Sequence, residues 1–222
     1  VTEETRMTDE TGGEEPCFAH LVVGGHVVDA DTARDVARFR RAERERLYAL
    51  RRRVPVAARR AMEEAVSARL DALDLPAGTV VSGYWPIRGE LDLRSWLARA
   101  VARGVRVALP VVVARDAPLV FREWTPKAPM TRGAWNIPIP ANGAEVTPDV
   151  VLAPLVGIDR AGYRLGNGGG YFDRTLATIS PREVVGVGHD FARMDTIFPM
   201  PWDIPMTLVI LGDGSVTRTA RA

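Results

Sequence analysis

The stretch Arg164 to Arg174, "RLGNGGGYFDR", concentrates side chains and backbone suited to negative charge. Gly166, Gly168, Gly169 and Gly170 surround Asn167, and Arg164, Tyr171, Phe172 and Asp173 stand beside them. Clustered glycines let the backbone turn with positive φ and present successive amide N–H groups, and a helix opening just afterwards adds free N–H groups and its positive dipole end. That combination binds anions. Arg164 can add a charge-assisted fork to a phosphate, and Asp173, one turn into the expected helix, can hold a Mg2+ that bridges phosphate oxygens. Loop, arginine and carboxylate are the parts a nucleoside triphosphate needs.

A plainer reading stands beside this one. A strand-to-helix turn tolerates glycine in any case, with Arg164 solvated and Asp173 paired to Arg174 or capping the helix. Two nucleotide motifs are excluded outright. With Gly166 and Gly168 as its first two glycines, the Rossmann fingerprint requires a third where Tyr171 stands. The P-loop fails too, because no Gly-Lys-Ser/Thr follows and the only lysine is Lys127.

The elements that must position this loop are read from hydrophobic periodicity. From Asp31 to Leu75 the pattern is helical: Val36, Phe39, Leu47, Leu50 and Val54 share one stripe, and arginines fill the other faces. Pro55 divides this stretch from a second amphipathic helix carrying Met62, Val66, Leu70 and Leu73. "TVVSGYWP" and "VRVALPVVV" read as buried strands, with the helix "DLRSWLARAVARG" between them; Asp92 is its candidate N-cap and Gly104 its stop. Such a unit favours a parallel pair joined by a right-handed crossover. "RDAPLVFREW" reads as a turn and return strand, and "MTRGAWNIPIPANG" has too many breakers for regular structure. "DVVLAPLVGID", "EVVGVG" and "TLVILG" are three further strands, the first leading to the glycine loop and the helix "YFDRTLATI". The alternation predicts an α/β fold of three αβα layers with a mostly parallel sheet.

Composition bounds the rest. The chain of 222 residues suits one α/β domain over 31–216, with residues 1–30 a flexible N-terminal extension and 217–222 a tail. The acidic opening "VTEETRMTDETGGEEP" has almost no large apolar side chain to bury. A net charge of +1 predicts no macromolecular partner. Asp35, Glu43 and Glu45 interrupt the arginine-rich helix, which argues against nucleic acid. Cys17 is the only cysteine, so disulfides, cysteine metal sites and thiol pairs are excluded. No apolar run has the length of a membrane span, and a cytoplasmic location fits.

Several segments in the same order resemble the 5-formyltetrahydrofolate cyclo-ligase family, over roughly residues 34 to 212. "DVVLAPLVGIDRAGYRLGNGGGYFDRTLA" is similar to its apolar strand and glycine signature, "GYWPIRGELDLRSWL" to its Tyr-x-Pro and Glu-x-Asp motif, and "RVALPVV" and "WNIPIP" to further segments. The resemblance implies a NagB/RpiA/CoA-transferase-like fold and an ATP- and Mg2+-dependent enzyme that turns 5-formyltetrahydrofolate into 5,10-methenyltetrahydrofolate, as a monomer or homodimer. In the mechanism it implies, the formyl oxygen attacks the γ-phosphorus of ATP, N10 closes the ring, and phosphate leaves.

On this resemblance Arg164, Asp173 and Glu90 are the catalytic candidates. ATP falls to Arg164, Gly166, Asn167, Gly168, Gly169, Gly170 and Tyr171, and the metal to Asp173. Glu90 holds the polar edge of the pterin, while Tyr84, Trp135, Tyr171 and Phe172 wall the folate rings. Arg40 and Arg44 are candidates for the family's N-terminal basic phosphate contact, because its usual lysine is absent. Trp85 and Trp96 are expected in the core, and His189 as a satisfied structural histidine. The chain departs from the family at Asn167, at Phe172, and at Trp202 and Leu211-Gly212 near the C-terminus. Two other readings are a diverged member that activates an amide or formyl oxygen of another small molecule, and a non-catalytic nucleotide-binding module.

Overall fold

Short valine-rich runs become strands because β-branched side chains pack well on a pleated surface, and the amphipathic stretches between them become helices. The computed structural model describes residues 20–23 and 25–219. In chain order the elements are β1 (His20–Val23), β2 (His26–Asp29), α1 (Ala30–Arg53), α2 (Val56–Asp71), β3 (Val80–Ser82), α3 (Arg94–Ala102), β4 (Arg106–Val111) and β5 (Val120–Trp124). There follow β6 (Met130–Arg132), β7 (Pro138–Pro140), β8 (Val150–Pro154), β9 (Gly157–Ile158), β10 (Arg164–Leu165), α4 (Tyr171–Leu176), β11 (Glu183–Gly188), β12 (Leu208–Leu211) and β13 (Val216–Arg218).

The main sheet has the order β13-β12-β11-β8-β3-β4-β5. Its inner pairs are parallel, and only the edge strands β13 and β5 run antiparallel to their neighbours. From β3 the chain steps through α3 to β4, while from β8 it steps the opposite way, through α4 to β11. Right-handed crossovers taken in opposite directions place their helices on opposite faces. Accordingly α2 and α3 cover the face carrying Val81, Leu152, Val185 and Ile210. Leu176 of α4 packs on the other face, with Val151, Ala153, Val184 and Val209. Neighbours along one strand thus alternate between two cores, as the two-residue period of a strand requires.

Helix α1 is different, since Leu47 and Arg51 are its buried residues. Asp29 caps its start by accepting from the Thr32 N–H at 2.6 Å. Pro55 ends it, with Val54 held extended before the ring. Leu47 is anchored in a third cluster with Val156, Leu165 and Ile197, which lays the helix over the loops that follow β8. Among the described residues no helix is long and apolar enough to cross a membrane.

The structure corrects several expectations. Residues 130–140 are not irregular: β6 and β7 pair antiparallel from Met130↔Pro140 to Arg132↔Pro138, a short two-stranded ribbon in which proline is tolerated. The N-cap of α3 is Leu93; Asp92 instead accepts from the Arg94 backbone N–H, two residues on. β13 puts residues 217 and 218 in the sheet, not in a tail. Residues 20–23 and 26–29, expected within the flexible extension, pair as the antiparallel strands β1 and β2. Residues 1–19 and 24 of that extension lie outside the described residues, as do 220–222.

Leu47→Ala is expected to destabilise the protein by about 2–5 kcal/mol through a cavity beneath α1. Chemical denaturation measures this, and a loss below about 1 kcal/mol shows that α1 is not seated by this cluster.

Candidate active site

The strands β3 and β8 are parallel neighbours, with Val81 opposite Val150, and the chain leaves them in opposite directions. The carboxyl ends of two such strands open a crevice, because the connecting loops diverge. The turn carrying Glu90 follows β3, and the glycine loop follows β8 through the β9–β10 ladder. Both motifs singled out in the sequence therefore rise from one end of the sheet.

Arg164 and Asp173 form a buried ion pair, Nη2 to Oδ2, at 2.8 Å with the side chains 5% and 15% exposed. The Arg164 guanidinium lies 5.2 Å from the Phe172 ring, and its Nε is buried with no protein partner. A Cβ at Gly166 would meet Arg164 Nη1, so any larger residue here would have to displace the guanidinium from its place beside Asp173. Gly168, at φ +99°, packs against the Arg44 guanidinium, with the position of a Cβ 3.5 Å from Arg44 Cζ. α4 has six residues, too few for a strong dipole, so it adds little to the field at the loop.

Glu90 is 7% exposed. Its Oε2 accepts from the Ile87 N–H and its Oε1 from Asn167 Nδ2, both at 3.0 Å. Burial raises its pKa, opposed by these two hydrogen bonds and by the fields of Arg51 and Arg88. Asn167 Oδ1 in turn accepts from the Tyr48 hydroxyl at 2.5 Å. Residues 77 apart in sequence thus meet directly, the phosphate-type loop touching the carboxylate of the other motif.

The remaining candidates divide. Arg44 Nε donates to the Gly166 carbonyl at 2.7 Å, which brings this arginine to the loop. Arg40 is not free to do so. Asp203 holds it bidentately at 3.1 and 2.5 Å, the Ile197 carbonyl accepts from its Nε and the Phe198 carbonyl from its Nη2. Tyr84 is a second correction: it is buried in the core and its hydroxyl donates to the Leu91 carbonyl at 2.8 Å, so its ring lines no open wall. Trp135 is 67% exposed and meets Tyr171 edge-on at 5.4 Å. Trp135 and Asn136 both hold left-handed backbone, at φ +52° and +61°, a strained arrangement for a tryptophan. Arg174 covers the far side of the loop, stacking 5.1 Å from Tyr171 and donating to the Gly169 carbonyl at 2.5 Å. Trp96 is fully buried, and Trp85 is half-buried with the Arg94 guanidinium 4.6 Å from its ring. Among the described residues no three His, Cys, Asp or Glu side chains gather as a metal cage.

Tyr48, Arg51 and Arg174 were missed from sequence. Arg44, Tyr48 and Arg51 lie at helical spacing on α1, and a search for polar as well as apolar periodicity finds them. Arg51 is buried: its Nη2 donates to the Leu155 carbonyl at 3.0 Å, while Nε and Nη1 have no protein partner. His189, just past β11, is equally buried, and neither ring nitrogen has a protein hydrogen-bond partner. Burial and the neighbouring Arg51 and Arg59 charges lower its pKa to about 4.

The folded pKa of His189 lies below its ordinary value near 6.5, so the unfolded chain binds the extra proton between these limits. Stability from this group is complete above pH ~6.5 and is lost as pH falls toward about 4. His189→Phe is expected to flatten the stability profile over that window; an unchanged slope in pH-dependent denaturation refutes the assignment.

The sequence and the fold match those of known proteins. The sequence profile of the 5-formyltetrahydrofolate cyclo-ligase family matches residues 36–212. The 5-formyltetrahydrofolate cyclo-ligase of Mycolicibacterium smegmatis is 34% identical over 170 residues, covering 72% of this chain and 87% of that protein. The Escherichia coli (strain K12) protein of the same name is 34% identical over 138 residues, 59% of this chain and 76% of its own length. The NMR structure of Aquifex aeolicus 5,10-methenyltetrahydrofolate synthetase superposes with a TM-score of 0.70 at 27% identity, covering 82% of this chain and 94% of that one. With its profile match spanning both motifs of the crevice, the chain belongs to the 5-formyltetrahydrofolate cyclo-ligase family.

Proposed function

We propose that this enzyme converts 5-formyltetrahydrofolate to 5,10-methenyltetrahydrofolate at the expense of ATP. The observation that carries this reading is the Asn167–Glu90 contact, which joins a phosphate-type loop and a buried carboxylate in one crevice. Family membership supports it, as does the presence of Arg164, Asp173 and Glu90 within the matched residues. On the same motifs we assign the fold more narrowly as NagB/RpiA/CoA-transferase-like.

A formyl oxygen is a poor leaving group, so the reaction needs that oxygen phosphorylated. It takes the γ-phosphoryl group of ATP and ADP departs; N10 then forms the new C–N bond and loses its proton, and the C–O bond breaks to release phosphate. Little covalent chemistry falls to the protein, which must align two substrates and offset phosphate charge. Arg164 and Arg44 supply fixed positive charge, with the amides of Gly166 to Gly170 as the cradle. Glu90 accepts the paired N–H donors of the pterin edge. Trp135, Tyr171 and Phe172 offer aromatic surface for the ring systems.

The residues also suit a Mg2+ that arrives on the triphosphate. Such an ion keeps several waters and needs one or two protein carboxylates, and Asp173 offers one at the loop, where its Oδ1 has only the Ile204 N–H, at 3.4 Å. When bound there, the ion neutralises phosphate charge.

Purified protein with 5-formyltetrahydrofolate, ATP and Mg2+ is expected to form the methenyl product, followed by its near-ultraviolet absorbance and dependent on each component. Asp173→Asn keeps a hydrogen-bonding partner for Arg164, and is expected to lower kcat about 100-fold or more. Asp173→Ala is the poorer test, because leaving Arg164 buried and unpaired destabilises the fold. Glu90→Gln is expected to raise KM for the folate more than it lowers kcat. No product from the wild type, with ATP binding intact by calorimetry, refutes the folate assignment.

A further inference from the structure

Asn167 belongs to the glycine loop, yet both ends of its amide are engaged away from it. Nδ2 donates to Glu90 Oε1 at 3.0 Å and Oδ1 accepts from the Tyr48 hydroxyl at 2.5 Å. This orientation suits the partners on both sides: the carboxylate form of Glu90 accepts from the NH2 group, and the amide oxygen is left for the phenol. Tyr48 is flanked by Arg88, whose Nη1 lies 3.5 Å from the hydroxyl. One turn earlier on α1, Arg44 Nε holds the neighbouring Gly166 carbonyl at 2.7 Å. α1 therefore grips two successive residues of the loop, and the loop in turn covers the carboxylate.

A carboxylate only 7% exposed cannot be read by a ligand until its cover moves. The Ile87 N–H that satisfies Oε2 is part of Glu90's own turn. The cover on Oε1 is a side chain from the loop that would hold phosphate. We propose that Asn167 is a latch that couples the two substrates: a ligand whose N–H donors pair with Glu90 displaces the Asn167 amide, and this releases the loop to reorganise around phosphate. The inference rests on the folate reading of Glu90 given above. Asn167 is a positioning residue in this scheme, because it acts through Glu90 on one substrate and through the loop backbone on the other. Coupling of this kind is reciprocal, so each substrate alters the affinity for the other by the same factor.

The test is calorimetric titration of 5-formyltetrahydrofolate into wild type, Asn167→Ala and Tyr48→Phe, each with and without a non-hydrolysable ATP analogue, together with hydrogen exchange of residues 166–170 in the ligand-free proteins. Loss of the latch removes one competing hydrogen bond, so Asn167→Ala is expected to bind folate about 2- to 10-fold more tightly in the absence of nucleotide. Tyr48→Phe is expected to act in the same direction and less. Loop amides exchange faster in both, and the effect of the analogue on folate affinity shrinks. Unchanged or weaker folate binding in both variants overturns the latch, since a purely architectural asparagine would only weaken it. If the wild type binds no folate, the substrate reading fails separately. The coupling of the two substrates falls with it, and unchanged loop exchange in the variants then removes the Asn167 restraint as well.

Discussion

The handedness of strand crossovers is the constraint on which the rest of this structure depends. A right-twisted strand joined through a helix to a parallel neighbour must cross on one side, so chain segments that set out in opposite directions along the sheet cover opposite faces. Here the divergence falls between β3 and β8, at the middle of the sheet. Two consequences follow together: two separate cores, one under α2 and α3 and one under α4, and a crevice where the divergent loops leave a gap. The site is where it is because the backbone cannot close there.

Charge in that crevice is dominated by guanidinium groups, and their fates differ. Arg40 and Arg164 each have a buried carboxylate partner, so their placement is held by geometry that an unpaired charge would not tolerate. Arg44 is tied to a backbone carbonyl and leaves its charge facing the glycine loop. Arg51 is deeper, with one hydrogen bond and two buried nitrogens unpartnered, close enough to lower the pKa of His189 and to oppose the rise at Glu90. The unneutralised charge beside the loop is therefore that of Arg44, held in place by its bond to the Gly166 carbonyl, while the ion pairs fix Arg40 and Arg164 in position.

Much of the architecture was legible because periodicity is local. Strand and helix order, the break at Pro55 and the hairpin return of β5 all follow from patterns within a dozen or so neighbouring residues. Short pairings were not, since the two- and three-residue ladders β6–β7 and β9–β10 depend on partners rather than on their own composition. The site divides similarly. Arg164, Asp173 and the glycines announce themselves as a motif, whereas Asn167 looked like a phosphate-loop residue and is bonded to Glu90 and Tyr48. Arg40 and Arg44 share a helix and a charge, and sequence does not distinguish them. What separates them is that Asp203 takes one and the glycine loop the other.

Trp135 and Asn136 offer a different lesson. Of these two consecutive residues with left-handed backbone, asparagine enters that region readily, whereas the tryptophan costs of order 1–3 kcal/mol. This outlay is made to hold an exposed indole against Tyr171 at the edge of the loop. A glycine at either position would relax the turn, yet it would also free the segment to wander. Selection for thermal robustness and selection for an ordered rim consequently pull in opposite directions at this turn. Lineages of the enzyme adapted to heat would be expected to secure their stability elsewhere in the fold and to leave this kink alone.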